Sequence, residues 1–303
     1  MSQTDIKKKP VNFENLLLGA GLNIVEVTSL GQPLEVTKTT MSANRSFGIA
    51  QAARHVWSRG GFLGFYQGLI PWAWIEASTK GAVLVFVASE AEYHFRKLGL
   101  GNFGAGIAAG MAGGVAQAYA TMGFCTTMKT VEITRSKQLA SGAPIESTFT
   151  VFKNLFQKEG IKGVNKGVNA VAIRQCTNWG SRYGLARLAE NALRKATGKQ
   201  DGEKLSVSER ILASFIGGSL SAWNQPIEVV RVEMQSKVKD PNRPKNLTVA
   251  KTLKYVYQNN GIKGLYRGVT PRIGLSVWQT IFMVAIGDSA KEAIAARKAK
   301  KLA

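Results

Sequence analysis

Apolar and polar positions alternate along the chain in long blocks. Six stretches are mainly apolar: Phe13–Met41, Leu69–Lys97, Phe103–Arg135, Val168–Lys195, Ser208–Val238 and Val269–Arg297. Each holds roughly 20 or more residues of apolar character, the length that crosses a bilayer as a tilted helix. Between them, Phe47–Ser58, Ser147–Lys158 and Val249–Asn259 carry apolar residues at helical spacing with polar partners. That pattern predicts short amphipathic helices lying at the membrane surface. Small residues recur at close spacing, as at Gly106, Gly110, Gly113 and Gly114, and at Gly217 and Gly218. Close approach of membrane-embedded backbones accounts for them.

The blocks repeat. The segment Gly60 to Gly68 (GGFLGFYQG) returns as Glu159 to Gly167 (EGIKGVNKG) and as Asn260 to Gly268 (NGIKGLYRG). Three copies of one unit must each solve the same packing problem. The repeats run over 12–98, 102–196 and 208–297, within a single domain spanning 1–303. Gly61, Gly160 and Gly261 are expected to end the short helices in a left-handed cap. Gly68, Gly167 and Gly268 are expected to open the next long helices. Their free N–H groups, with Lys166 and Arg267 beside them, suit a phosphate of an anionic lipid such as cardiolipin. A plain turn with snorkelling cations is the alternative, since Gln67 breaks the basic pattern.

Composition narrows the partners. Forty Lys and Arg against nineteen Asp and Glu give a net charge of +21, which implies an anionic partner. Mean hydropathy near zero conceals the apolar blocks. Cys125 and Cys176 lack metal spacing and read as packing residues. His55 and His94 lie in or beside connectors and read as solvated. Met1–Asn15 carries Lys7-Lys8-Lys9-Pro10 without an apolar core or cleavage site, so no signal peptide is expected. No nucleophile–base pair, metal spacing or nucleotide loop stands out, so neither an enzyme nor a cofactor is expected.

Two odd-numbered stretches end in a charged signature with a helix-kinking proline: Gln32-Pro33-Leu-Glu35-Val-Thr-Lys38 and Gln225-Pro226-Ile-Glu228-Val-Val-Arg231. Charges at membrane depth need partners or water. Acid and base three residues apart on three helices form a ring in which each acid meets the next repeat's base. With the triple repeat, this pattern resembles the mitochondrial carrier family over essentially the whole chain. The resemblance implies an all-α membrane protein of the inner mitochondrial membrane. Six tilted transmembrane helices in three pseudo-symmetric repeats, with short matrix-side amphipathic helices, would surround a water-filled cavity. It also implies a monomer working by alternating access, with one ion-pair ring closing the matrix side and a second closing the cytosolic side.

The second repeat departs from the signature. Around Thr121–Lys129 it has neither the proline nor the acid, leaving Lys129 as the ring member, with Glu132 and Arg135 as a shifted substitute. The matrix gate is then Glu35, Lys38, Lys129, Glu228 and Arg231, weakened by the missing acid. The cytosolic ring draws on Asp288 and Lys291, and on Arg187 and Glu190 with charges reversed. The first repeat offers only Glu90 or Glu92, out of register.

Packing residues should agree among repeats, whereas a substrate without threefold symmetry should break the agreement. Counting from Gly68, Gly167 and Gly268, the charges Glu76, Lys80, Arg174 and Arg272 each appear in one repeat only. Glu76, Lys80 and Leu84 share one helix face, where a Glu76–Lys80 pair is the structural alternative. Thr79, Asn178 and Gln279 are polar in all three repeats and read as a cavity-lining row, and Arg182 is a further candidate. Three cations and one carboxylate suit an anion with two or three carboxylates. Gln175 suits a hydroxyl or keto oxygen. Within the family, an Arg–Gln pair such as Arg174–Gln175 is similar to that of keto-acid and tricarboxylate carriers. The segments Ile70–Lys80, Ala172–Arg182 and Asn224–Arg231 carry the resemblance further, to exchange of citrate for 2-oxoglutarate. Charge alone does not choose these from malate, oxaloacetate or succinate. A competing reading is a nucleoid-associated membrane protein making non-specific DNA contact through basic connectors.

Overall fold

The computed structural model describes residues 13–44, 46–134, 147–198, 206–236, 243–244 and 246–282, and all regular structure among them is helical. Each odd-numbered span is two helices meeting at a turn. In the first repeat α1 (Phe13–Glu26) and α2 (Gln32–Ala43) meet at a π-turn, Val27–Gly31. In the second, α5 (Asn102–Gln117) and α6 (Gly123–Thr134) meet at a π-turn, Ala118–Met122. In the third, α9 (Val207–Leu220) and α10 (Gln225–Gln235) meet at a 3₁₀ turn, Ser221–Asn224. The even-numbered spans are α4 (Trp74–Lys97), α8 (Val168–Ala196) and α12 (Val269–Ile281).

The second repeat bends without a proline. Thr121, Thr126 and Thr127 donate their hydroxyls to the carbonyls four residues back, at 3.1, 2.7 and 2.9 Å. Such back-bonding competes with the helix ladder and bends it. Gly123 completes the turn, because a Cβ there would stand 2.6 Å from Asn165 Oδ1.

Neighbouring spans pack in cyclic order. The first odd span contacts α4, α4 contacts α5, α5 contacts α8, α8 contacts α9, α9 contacts α12, and α12 returns to α2. Among the described residues no single helix is long and apolar enough to cross a membrane by itself. The odd spans are divided by their turns, and the helices direct charged and amide side chains at the middle of the ring.

Three short helices lie between the spans: α3 (Ile49–Gly60), α7 (Thr148–Val164) and α11 (Val249–Leu265). Ser147 and Thr248 cap α7 and α11 by accepting from the N–H groups of Thr150 and Lys251. Each short helix packs on the second half of its own odd span, giving clusters such as Val36–Val56–Ile133 and Val229–Tyr255–Val256–Leu265. Apolar packing is thus concentrated at one end of the ring. Arg59 ties α3 to the end of α6 by donating to the Ile133 carbonyl at 2.7 Å, and burial pushes its guanidinium down to about 10.

The glycine segments correct one expectation. Gly68, Gly167 and Gly268 hold the left-handed conformation (φ 72, 75 and 79°) as N-caps. Gly61, Gly160 and Gly261 have positive φ with extended ψ near −137, −157 and −165°, a region essentially reserved for glycine. The chain reverses through two unlike glycine conformations rather than through a left-handed cap and a plain turn.

Candidate substrate cavity and gate

A cavity of about 480 Å³ lies between the spans, and all six expected substrate residues line it. Lys80 comes from α4, Arg174 from α8 and Arg272 from α12, one cation per repeat. Glu76, Leu84 and Gln175 complete the group, and Asn178 and Gln279 face the same space. Thr79, grouped with them from sequence, spends its hydroxyl on the Ile75 carbonyl at 2.6 Å. Cys125 is fully buried and Cys176 half-buried, in keeping with packing roles.

The cations are held differently. Arg174 Nε stands 3.1 Å from Glu228 Oε2. Arg272, buried, donates to Gln225 Oε1 at 3.0 Å and to Asn224 Oδ1, which braces α12 against the turn before α10. Lys80 makes no side-chain ion pair among the described residues, so its ammonium is the one most available to a ligand. The structural alternative, a Glu76–Lys80 pair, does not form: Glu76 pairs with Lys129, at 2.8 Å with both side chains over nine-tenths buried.

That contact fills the gap in the ring. The Lys38 ammonium stands 2.6 Å from Glu35 in its own repeat and 2.9 Å from Glu228 in the third. Arg231 grips Glu228 through two parallel bonds from one guanidinium edge, Nε and Nη2, at 2.9 and 2.7 Å, and lies 4.0 Å from Glu35. Counted by register, Thr126 occupies the acid position of the second repeat, so Lys129 has no acid of its own signature. Glu76, from the first even span, supplies one. Glu132, the shifted substitute, instead accepts from Trp72 Nε1 at 3.0 Å and Thr148 Oγ1 at 2.5 Å, outside the ring.

Neutral groups from the second and third repeats complete the ring where it faces the second repeat. Arg231 donates to Thr130 Oγ1 at 3.0 Å and Gln235 Oε1 at 2.6 Å. Gln235 Nε2 in turn reaches Thr127 Oγ1 and the Lys166 carbonyl, each at 3.1 Å. For the cytosolic ring, Asp288 and Lys291 lie outside the described residues, as do the side chains of Arg187 and Glu190. The side chain of Arg182 lies outside them as well.

Sequence reasoning missed a polar level on the odd spans. Twelve residues before the gate bases Lys38, Lys129 and Arg231 stand Glu26, Gln117 and Ser219. They are equivalent by register, all polar and all different. Glu26 is 1% exposed and Gln117 2%. A ruler laid from the gate bases would have found them; the glycine ruler measures only the even spans.

A closed cycle of six spans, a polar cavity at its centre and an ion-pair ring across one end define a solute carrier. The family model described as mitochondrial carrier protein matches residues 8–97, 100–196 and 203–298. The chain belongs to the mitochondrial carrier family, multi-pass proteins of the inner membrane and not enzymes. It is 69% identical over 291 residues to the citrate/oxoglutarate carrier protein of Saccharomyces cerevisiae, covering 96% of this chain and 93% of that one. It is 26% identical to the mitochondrial 2-oxodicarboxylate carrier of Mus musculus, over 90% of this chain and 92% of the other. Against the mitochondrial citrate transporter C of Aspergillus niger it is 23% identical, over 88% and 86%.

Proposed function

We propose that this carrier exchanges citrate for 2-oxoglutarate by alternating access, with Lys80, Arg174 and Arg272 holding the carboxylates. The observation that carries the reading is Arg174: one guanidinium belongs to both the cavity and the gate, through Glu228. The high identity to a citrate/oxoglutarate carrier supports the choice of substrates. A ligand moves a conformational equilibrium only by binding one state better than the other. A substrate carboxylate at Arg174 replaces Glu228 there, and a second at Lys80 draws on the nearest unpaired ammonium. The ring then loses one of the cations that restrain Glu228.

The same arrangement explains exchange rather than leak. Opening the matrix side draws Glu228 away from Arg174. A bound carboxylate keeps the guanidinium paired through that change, whereas an empty carrier leaves a buried charge bare, which is strongly unfavourable. Glu76 takes part in the gate through Lys129 rather than as a free ligand in the cavity. The backbone N–H groups at Gly68, Gly167 and Gly268 serve as cardiolipin contacts in this reading.

Purified protein in liposomes tests it. Labelled citrate uptake is expected only when the lumen contains 2-oxoglutarate or citrate, and is expected to fall at least about 100-fold in Arg174→Ala and Lys80→Ala, as for loss of a charged hydrogen-bonding partner. Uptake into empty liposomes, or uptake indifferent to both substitutions, would contradict it.

A further inference from the structure

Gln117 ends α5 at the turn and touches both flanking even spans. The two ends of its amide are told apart by neighbours of fixed polarity. Its Nε2 donates to the main-chain carbonyl of Lys80 at 2.8 Å, and a carbonyl only accepts. Its Oε1 lies 3.2 Å from Trp179 Nε1, and an indole N–H only donates. The amide is therefore locked, nitrogen toward α4 and oxygen toward α8. Gln175 meets the same oxygen at 3.2 Å, so it must present its own nitrogen there. Both amides line the cavity. With its nitrogen turned to Gln117 Oε1 and Met122 Sδ, Gln175 keeps its oxygen for a ligand.

We infer that Gln117 is a positioning residue that sets the polarity of Gln175, making it an acceptor for a hydroxyl group on the substrate. The inference rests on the citrate/2-oxoglutarate reading and deepens it. Citrate carries a tertiary hydroxyl that can donate; the keto oxygen of 2-oxoglutarate can only accept. Gln175 therefore contributes to citrate and not to its exchange partner, while the three cations serve both. A site built to pair with a substrate hydroxyl discriminates against an analogue lacking it, because its own polar group is then left unpaired. With Gln117 replaced by an apolar residue, Gln175 is free to turn over and offer its nitrogen to a carboxylate.

The relay cannot be inferred from Gln175 alone, since an amide has one face of each polarity. Its direction comes from the Lys80 carbonyl on one side and the Trp179 indole on the other. The two lie on different repeats, and the equivalents of Gln117 by register are the acid Glu26 and the hydroxyl Ser219. Neither of those can both accept from an indole and donate through a separate nitrogen, so this arrangement is particular to the second repeat.

The test compares citrate with tricarballylate, which has the same three carboxylates and no hydroxyl, each exchanged against internal 2-oxoglutarate in liposomes. The wild-type KM ratio of tricarballylate to citrate is expected near tenfold, about the worth of one hydrogen bond. In Gln117→Leu the ratio is expected to collapse toward one. Gln117→Glu, with the oxygen facing the Lys80 carbonyl protonated, still accepts from Trp179 and Gln175 through the other and is expected to keep it well above one. A ratio preserved in Gln117→Leu, with both KM values rising together or Vmax alone falling, would overturn the inference in favour of a purely structural role. So would a wild-type ratio of one. Should Gln117→Leu fail to assemble, Trp179→Phe removes one of the two polarity locks, and the ratio is expected to fall about threefold; no change would overturn the relay. A wild-type protein that takes up other carboxylates but no citrate overturns the substrate reading itself, and this inference with it.

Discussion

The first and third repeats close their side of the gate with charge, the second with borrowed charge and neutral groups. Glu35–Lys38 and Glu228–Arg231 each come complete, an acid and a base on one helix face. The second repeat has neither proline nor acid at those positions, yet it bends at the equivalent turn and its Lys129 is paired. Threonine hydroxyls bend it, Glu76 neutralises Lys129, and Thr130 with Gln235 occupies Arg231. A symmetric signature is thus one solution among several. What the fold demands is that each buried charge be met and each helix turned inward, whichever residue does it.

The largest effect should come from breaking the borrowed pair. Glu76→Gln leaves Lys129 buried without its ion-pair partner, which should destabilise the ring by about 3–5 kcal/mol. Thermal unfolding in detergent should show a lowered midpoint. The double variant Glu76→Gln/Lys129→Met should recover most of it while exchange stays impaired. A double variant no more stable than Glu76→Gln would mean that Glu76 acts on the substrate and not through Lys129.

Much of the frame was legible in the sequence, for physical reasons that also explain the rest. The starts of the short helices were placed to within about two residues because amphipathic spacing marks them; α7 and α11 run on past Gly160 and Gly261, where they were expected to end. The cavity residues Lys80, Arg174 and Arg272 were legible because their cost in a membrane is local to each helix and their asymmetry can be counted. The partner of Glu76 was not. Lys80 sits one helical turn away, while Lys129 is brought near only by the packing of α6 beside the turn at Leu69–Ala73. Gln117 was missed because an amide at the end of an alanine-rich helix carries no charge to mark it. The bend in the second repeat was missed because proline was taken as its cause, and threonine back-bonding leaves no comparable signature.

A smaller effect should follow from restoring symmetry. Thr126→Glu puts an acid at the position of Glu35 and Glu228, within the reach of Lys129 and Arg231. If the second repeat's neutral groups are only a weak substitute, the added pair should favour the closed gate by about 1.4 kcal/mol and slow citrate exchange about tenfold. The thermal midpoint should rise. Unchanged exchange with a lowered midpoint would show that the hydroxyl–amide network already satisfies the gate and that the new carboxylate only crowds it.

The smallest effect compares the braces beneath the three glycine caps. In the first repeat Gln32, fully buried, donates to the carbonyl of Gln67 at 2.5 Å, and in the third Gln225 donates to that of Arg267 at 2.6 Å. The second repeat has Gly123 at that register, and its Lys166 carbonyl is met by Gln235 Nε2 and by Thr127 Oγ1, each at 3.1 Å, the one hydroxyl proton of Thr127 being shared with the Gly123 carbonyl. Removing a single brace leaves a carbonyl without its partner, at about 1–3 kcal/mol; removing one of two should cost about 0.5 kcal/mol. Gln32→Leu should therefore lower the unfolding midpoint several times more than Thr127→Val, which keeps side-chain shape and leaves Gln235 in place. Equal losses would mean that Thr127 matters for the bend of α6, through its bond to Gly123, rather than for the cap of α8.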